Sequence, residues 1–450
     1  MTTRSPVRLP GKRRFGGVFS GGTETLVAYL AIGLLASAYF KLDWWHKVLI
    51  GQSNVDSRTL LGFAFACCAL RWKSLLRRTF VWAEPAALTW LDFTFADRSV
   101  LIARRLWRLW LTDLLALAYV IGLVAAVYEP PSAVLLACAA VLVASGLFAL
   151  GLARRASANA VLEAAWPIVL ALAGLVCTAV PAPVTWWFAL AGAFAAGAVW
   201  SWWGSGPLRR PAVANAGRTR LVDKWNERLV RTVAVTFLDP LMMLPSAAQT
   251  GGRALGNPAL LRLATHGVRA RSRFAVTALL TAVIVPVALV ALPRWPDVPL
   301  VVLAGYGALV PFGAGLGEIW ANPGRRRWIG SGDGEIRAWH AAVLVGILAI
   351  WTAVLIASGL AVGVHFTAAC WLALPVIAAS VVRTVTRPPI DYGAVGATDT
   401  PMGQLPVGLV KQFLRGPDVL VVATVVLTAA PLDWVSVLVV AACAALCFRR

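Results

Sequence analysis

Polar and apolar positions along this chain fall into blocks, not into the stripes of half-buried helices or the alternation of half-buried strands. Long runs that are apolar on every side alternate with polar stretches, and a bilayer-crossing helix needs about twenty such residues. The runs predict spans at Glu24–Phe40, Arg58–Trp72, Leu106–Tyr128, Ser132–Leu152, Val161–Val180 and Val184–Trp203. A long polar stretch follows, then Phe274–Leu292, Val298–Trp320, Trp339–Val364, Phe366–Val382, Val419–Leu432 and Trp434–Phe448. The second and eleventh runs are short, so a tilted, interfacial or re-entrant course is an alternative for each. The expected fold is an all-α polytopic membrane protein of about twelve transmembrane helices in two six-helix halves. Those halves are 24–203 and 274–448, with a basic N-terminal segment over 1–23 and a basic linker over 204–273.

Charge placement orients the pattern. With the N-terminus in the cytoplasm, the connections after even-numbered spans are internal and collect Lys and Arg. The clusters at Arg4–Arg14, Arg71–Arg108, Arg154–Arg155, Arg209–Arg273, Arg325–Arg337, Arg383–Arg415 and Arg449–Arg450 all fall there. Of the 41 basic residues, only Lys41, Lys47, Arg58 and Arg294 fall outside or at the outer border. Removing any one span would put basic connections on the wrong face. Both termini are therefore expected in the cytoplasm, in the cell inner membrane, with most of the polar mass on the cytoplasmic side.

Composition agrees with this and removes some alternatives. The chain is 59% hydrophobic and 14% charged with a mean hydropathy of +0.75, outside the range of soluble domains. Its net charge of +21 is scattered among the connections, with no separate basic domain or nucleic-acid motif. All seven cysteines (Cys67, Cys68, Cys138, Cys177, Cys370, Cys443 and Cys447) lie within apolar runs, which suits buried thiols and not a disulfide framework. Arg13-Arg14-Phe15, with Ala36-Ser37-Ala38 downstream, imitates a twin-arginine signal. A retained first helix is the preferred reading, because more membrane spans follow and not a secreted domain.

An internal repeat is visible. Trp82-Ala83-Glu84-Pro85 is followed by Trp90 and Asp97; Trp320-Ala321-Asn322-Pro323 is followed by Trp328 and Glu335. Both read W-A-x-P-x4-W-x6-acid at a constant offset of 238 residues, each after the second span of its half.

Few residues suggest chemistry. There is no Walker A pattern, and Gly330-Ser331-Gly332-Asp333-Gly334 reads as a flexible turn. Gly313, Gly315 and Gly317 suit close helix packing. The four histidines are dispersed, with no metal-ligand spacing, and the outer carboxylates are scattered singly, so neither an enzyme nor a metal or cofactor site is expected. Ionisable groups within spans are Asp113, Glu163 and Glu318, the last two near span ends. Asp113 is a candidate intramembrane polar residue, with Arg108 as an available partner. The segments 73–105 and Leu221–Pro245 mix aromatic, acidic and basic residues, as interfacial helices or partner-docking segments do.

Several of these stretches resemble bacterial type-2 ABC transporter permease subunits of high-GC genomes. Leu88-Thr89-Trp90-Leu91 with Ala96-Asp97-Arg98-Ser99-Val100-Leu101 is similar to the loop after their second helix. Ala321-Asn322-Pro323-Gly324-Arg325-Arg326-Arg327-Trp328 is similar to their A-D-P-G-x-R-R segment, with Asn322 in place of Asp. Arg387-Pro388-Pro389 through Thr400-Pro401-Met402-Gly403, and Leu414-Arg415-Gly416-Pro417-Asp418, resemble their C-terminal loop. The resemblance implies a permease driven by a separate cytoplasmic ABC ATPase subunit, and implies nothing about substrate.

The expected working surface is therefore a pair of ATPase-coupling segments: Trp82, Pro85, Trp90, Asp97 and Arg98, and Trp320, Pro323, Arg325, Trp328 and Glu335. One chain with two ATPase copies completes the assembly, or else a homodimer or a second permease chain does. The alternatives are a twelve-helix ion-coupled carrier and a non-transporting membrane scaffold. Ala96-Asp97-Arg98 with Arg104-Arg105 resembles the D-R-x-G-R-R loop of major-facilitator carriers, but the glycine is missing and the arginines are too far apart.

Overall fold

The computed structural model describes residues 33, 35–37, 39–50, 57–93, 98–155, 160–180, 183–203, 216–236, 244, 247, 260–388, 397–400, 403–406, 414–430 and 433–448. Most of the expected first span, all of the N-terminal segment 1–23 and much of the linker lie outside the described residues.

The described chain is helical apart from one hairpin. The first elements are α1 (Leu42–Leu49), α2 (Ser57–Leu76), α3 (Pro85–Phe93), α4 (Arg98–Tyr128), α5 (Ser132–Ala153), α6 (Ala160–Ala179) and α7 (Val184–Trp203). Then come α8 (Arg218–Thr236), α9 (Leu260–Arg269), a 3-10 turn (Ser272–Phe274), α10 (Ala275–Ala291), α11 (Asp297–Trp320) and α12 (Pro323–Ile329). The last are α13 (Asp333–Ala361), α14 (Ala368–Val385), α15 (Pro417–Ala429) and α16 (Trp434–Phe448). The hairpin pairs Ala397–Thr400 antiparallel with Gly403–Pro406 between α14 and α15.

Among the described residues, eight helices are long and apolar enough to cross a bilayer: α2, α4, α5, α7, α10, α11, α13 and α14. This is a multi-pass membrane protein. The second span, short in the sequence pattern, becomes crossing length because its helix continues through Lys73 to Leu76. α15 and α16 have 13 and 15 residues and the apolar part of α6 is Glu163–Ala179, all shorter than the crossing helices. α4 starts at Arg98 and α13 at Asp333, each well before its apolar run, so both helices project beyond the apolar zone at the basic end.

Prolines 167, 286, 311 and 375 sit inside spans. Such prolines are tolerated in apolar surroundings where neighbouring groups re-satisfy the freed backbone. Hydroxyl groups bond back to their own helices in several spans: Thr178 donates to the Gly174 carbonyl at 2.9 Å and Ser358 to the Val354 carbonyl at 2.8 Å.

Within a bilayer, close van der Waals packing takes the place of water-driven burial, and small residues permit it. α2 and α6 cross where Gly62 meets Gly174: a Cβ on Gly174 would lie 2.8 Å from the Gly62 carbonyl oxygen. Among the α11 glycines, Gly313 faces Val381 and Val385 of α14, Gly317 faces Leu244 and Val385, and Gly315 faces Gly267 of α9. Gly174→Leu is expected to cost roughly 2–3 kcal/mol by overpacking against backbone. Gly192→Leu, at a position with open space, is expected to cost little. Equal unfolding midpoints of the two variants in detergent would show that the crossing is not tight.

Two apolar clusters form. One gathers α2, α5, α6 and α7; the other gathers α11, α13, α14, α15 and α16. α10 belongs to both, with Leu280, Val283 and Val287 facing the first cluster and Ala278, Ala282, Val285 and Leu289 the second. Four packed pairs correspond across the clusters. α2 with α5, α5 with α7, α4 with α5 and α2 with α6 match α11 with α14, α14 with α16, α13 with α14 and α11 with α15.

Candidate functional site: the paired segments at the basic end

The two copies of the W-A-x-P pattern occupy equivalent helix positions. Pro85 is the first residue of α3 and Pro323 the first of α12, where a missing N–H is harmless and the fixed φ favours helix initiation. Trp90 and Trp328 are the sixth residues of those helices. Both short helices link a spanning helix to the next one at the same end of the molecule, α2 to α4 and α11 to α13. Trp90 is 70% exposed and Trp328 92% exposed, and Phe93 joins Trp90 on the outer surface of α3.

The first tryptophan of each pattern is an anchor held by guanidinium groups. Arg105 lies 3.4 Å and Arg228 4.5 Å from the Trp82 ring, and Trp225 stacks on it at 5.0 Å. Arg105 also donates to the Trp82 carbonyl. Arg326 and Arg337 flank the Trp320 ring at 4.5 and 4.3 Å. A tryptophan face binds a cation through its ring quadrupole, and the contact strengthens where water is scarce.

α3 is clamped by α8. Arg218 pairs with Asp92 at 3.0 Å and donates to the Thr89 hydroxyl at 2.9 Å, while the Ala83 N–H donates to the Leu221 carbonyl at 3.1 Å. The amphipathic stretch beginning at Leu221 thus docks in part on the chain's own α3; its residues 237–243 and 245 lie outside the described residues. α12 is held more lightly. Asn322 Nδ2 donates to the Glu318 carbonyl at 2.9 Å, and Arg326 pairs with Asp333 at 3.2 Å. Gly330, at φ +72°, ends the helix in the left-handed conformation, and Gly332 precedes α13, so the glycine-rich stretch is the expected turn. Arg325 and Glu335 are exposed, with Glu335 in the acidic first turn of α13. Asp97 lies outside the described residues, and Arg98 is described only as the first residue of α4.

Ion pairs made by buried or half-buried arginines fix the base of this surface. Arg78, itself left-handed at φ +51°, donates to both Glu163 oxygens, to the Leu76 and Ala153 carbonyls and twice to the Arg155 carbonyl. Arg271 pairs with Glu318, tying the turn before α10 to the end of α11. Arg383 meets Asp418 at 3.1 Å. The span-end acids Glu163 and Glu318 are therefore latches between elements. Arg77 and Arg273 both lie 5.1 Å from the Phe274 ring. Burial, with the Arg231 and Arg273 charges, pulls the Arg77 pKa below the usual arginine range.

Asp113 has a different partner from the one its position suggested. Arg108 is on the same helix, but Arg71 of α2 reaches it, Nε to Oδ2 at 3.5 Å. That contact crosses between helices, which the spacing along α4 does not reveal. Nor did the sequence pattern pick out Arg105, Arg228 or Trp225 around Trp82; the available signal was the amphipathic character of the stretch containing the last two.

Among the described residues no group of three His, Cys, Asp or Glu side chains is placed to hold a metal ion. The six described cysteines are free thiols within or beside the apolar clusters. No protein-family description, curated protein or solved structure matched the chain.

Proposed function

We propose that this chain is the transmembrane permease subunit of an ATP-driven exporter, with two duplicated six-helix halves and a separate cytoplasmic ABC ATPase. One observation carries the reading: two short helices at the basic end, with proline first and an exposed tryptophan sixth, each anchored by a tryptophan between two arginines. Large exposed aromatic residues on rigidly held helices make good interface anchors, and two copies suit a partner present twice. The resemblance to type-2 permeases and the matching helix pairs support the same assignment.

The charge bias supports a basic end in the cytoplasm, and the reading takes twelve spans in the inner membrane with both termini inside. Trp328→Cys is then expected to react with a membrane-impermeant maleimide from the cytoplasmic side of inverted vesicles and not from outside intact cells. Labelling from outside would reverse the orientation. Pull-down of the full chain in mild detergent, with ATP analogue, ADP or no nucleotide, is expected to retain an ATPase. Absence in every state would defeat the proposal.

The Arg71–Asp113 pair within the spans favours a second reading, an ion-coupled carrier. Under it, vesicles without ATP transport in response to a proton gradient, and Asp113→Asn abolishes that response. Under the exporter reading, transport follows ATP instead.

A further inference from the structure

α4 is the least covered of the crossing helices, and one long side of it faces a groove. The upper part of the groove, near α1, has a volume of about 270 Å³ and is lined by Trp45, Leu49, Val124, Val127 and Leu292, among others. A narrower part of about 40 Å³ continues toward the basic end past Leu117, Cys67, Cys138 and Leu142. The two parts share Leu60, Phe63, Val120 and Val124, so they form one channel along α2 and α4. From Leu117 to Val127 the channel runs about 15 Å, at 1.5 Å per helical residue. Its walls are almost wholly apolar.

Its lower end is not apolar. One turn below Leu117 on α4 is Asp113, and one turn below Cys67 on α2 is Arg71. The Arg71 side chain is 10% exposed. Its Nη1 approaches the Leu142 carbonyl at 3.5 Å, and its Nε makes an ion-pair contact with Asp113 lacking hydrogen-bond geometry. Nε and Nη2 are buried with no hydrogen-bond partner among the described residues, as is Nε1 of Trp110, three residues before Asp113. Unsatisfied donors are costly in a hydrocarbon setting. Gly146 makes room for this arginine, since a Cβ there would lie 2.7 Å from Nη1.

We infer that the α2–α4 channel binds a single-chain amphiphile with an oxyanion head, its acyl chain running from Leu117 toward Trp45 and its head accepting from Arg71. A guanidinium edge matches a phosphate or carboxylate, and Asp113 offsets the charge when the site is empty. The head sits nearer the basic end, about 10 Å along α4 from the start of its apolar run at Leu106, and the chain points toward the outer border under the topology proposed above. Ordinary annular lipid needs no buried donors; Arg71 Nη2 is a buried donor with no hydrogen-bond partner among the described residues. The inference concerns binding, so failure to find an ATPase leaves it standing, and loss of amphiphile binding leaves the exporter reading standing.

The test uses the full chain in phosphatidylcholine nanodiscs with a lysophosphatidylglycerol carrying a diazirine at its chain terminus. Cross-links are expected to saturate at one per chain and to map to Trp45–Leu49 and Val127–Tyr128. Arg71→Gln, Gly146→Val and Val120→Trp are each expected to reduce them at least tenfold, and Val169→Trp, on the exposed side of α6, to leave them unchanged. The three variants remove the head contact, displace it and block the channel separately, so misfolding of one leaves the others informative. A headless diazirine alkane is expected to be insensitive to Arg71→Gln, and glycerol phosphate to compete only weakly. Uniform labelling of the lipid-facing helices, equal labelling of wild type and Val120→Trp, or equal labelling of wild type and Arg71→Gln would each overturn the inference.

Discussion

Replacing Arg78 with alanine is expected to lower stability by about 2–4 kcal/mol, the cost of leaving a half-buried carboxylate and several backbone carbonyls without their donor. The guanidinium joins the end of α2 to the end of α5 and to the first turn of α6, through Ala153, Arg155 and Glu163. Alanine would leave those carbonyls and the carboxylate without donors at the rim of the membrane domain. Arg78→Lys is expected to recover only part of the loss, because one ammonium cannot reach acceptors spread over three elements. Glu163→Gln is expected to cost less than Arg78→Ala, since the backbone carbonyls keep their donor. Denaturant unfolding in detergent reads all three. A wild-type midpoint for Arg78→Ala would mean that the latch bears no structural load.

The second large effect is expected at the exposed tryptophans. Trp90→Ala combined with Trp328→Ala should abolish association with the ATPase and leave the unfolding midpoint where it was. Hot-spot tryptophans at interfaces contribute about 2 kcal/mol or more each, roughly thirtyfold in affinity per residue. Each single variant should therefore weaken binding measurably while the pair eliminates it at micromolar protein. Trp82→Ala serves as the contrast. That ring is held inside the fold by Arg105, Arg228 and Trp225, so its loss is expected to lower stability and binding together. If the double variant keeps wild-type ATPase binding, the paired helices are membrane-resting segments and the coupling surface lies elsewhere.

How much of this was legible beforehand varies with the range of the interaction. Spans are local sums of hydropathy, so the long runs such as Ser132–Leu152 came within a residue of their helices. Helix ends were harder to place. Charged residues such as Arg98 and Asp333 continue a helix beyond the apolar zone at no hydropathic cost to the chain, and block patterns end where the polarity begins. The repeat was visible because Pro85 and Pro323 mark helix starts in the sequence itself. The Asp113 partner was not, because choosing between Arg108 and Arg71 requires knowing that α2 and α4 are neighbours. The arginine settings of Trp82 and Trp320 likewise arise from residues between 6 and 146 positions away, at distances that no local pattern encodes.

α10 has a consequence for how the protein is made. It fills the first cluster with Leu280, Val283 and Val287, yet it is synthesised only after the whole first half and the linker. While the ribosome is still adding those residues, α2 and α6 have an open flank that lipid must cover temporarily. A gene truncated after Trp203 should therefore yield a fragment that membrane quality-control proteases remove. Two separate genes, divided within residues 204–215 and expressed together, should restore a stable protein, because the missing piece then arrives from a second polypeptide.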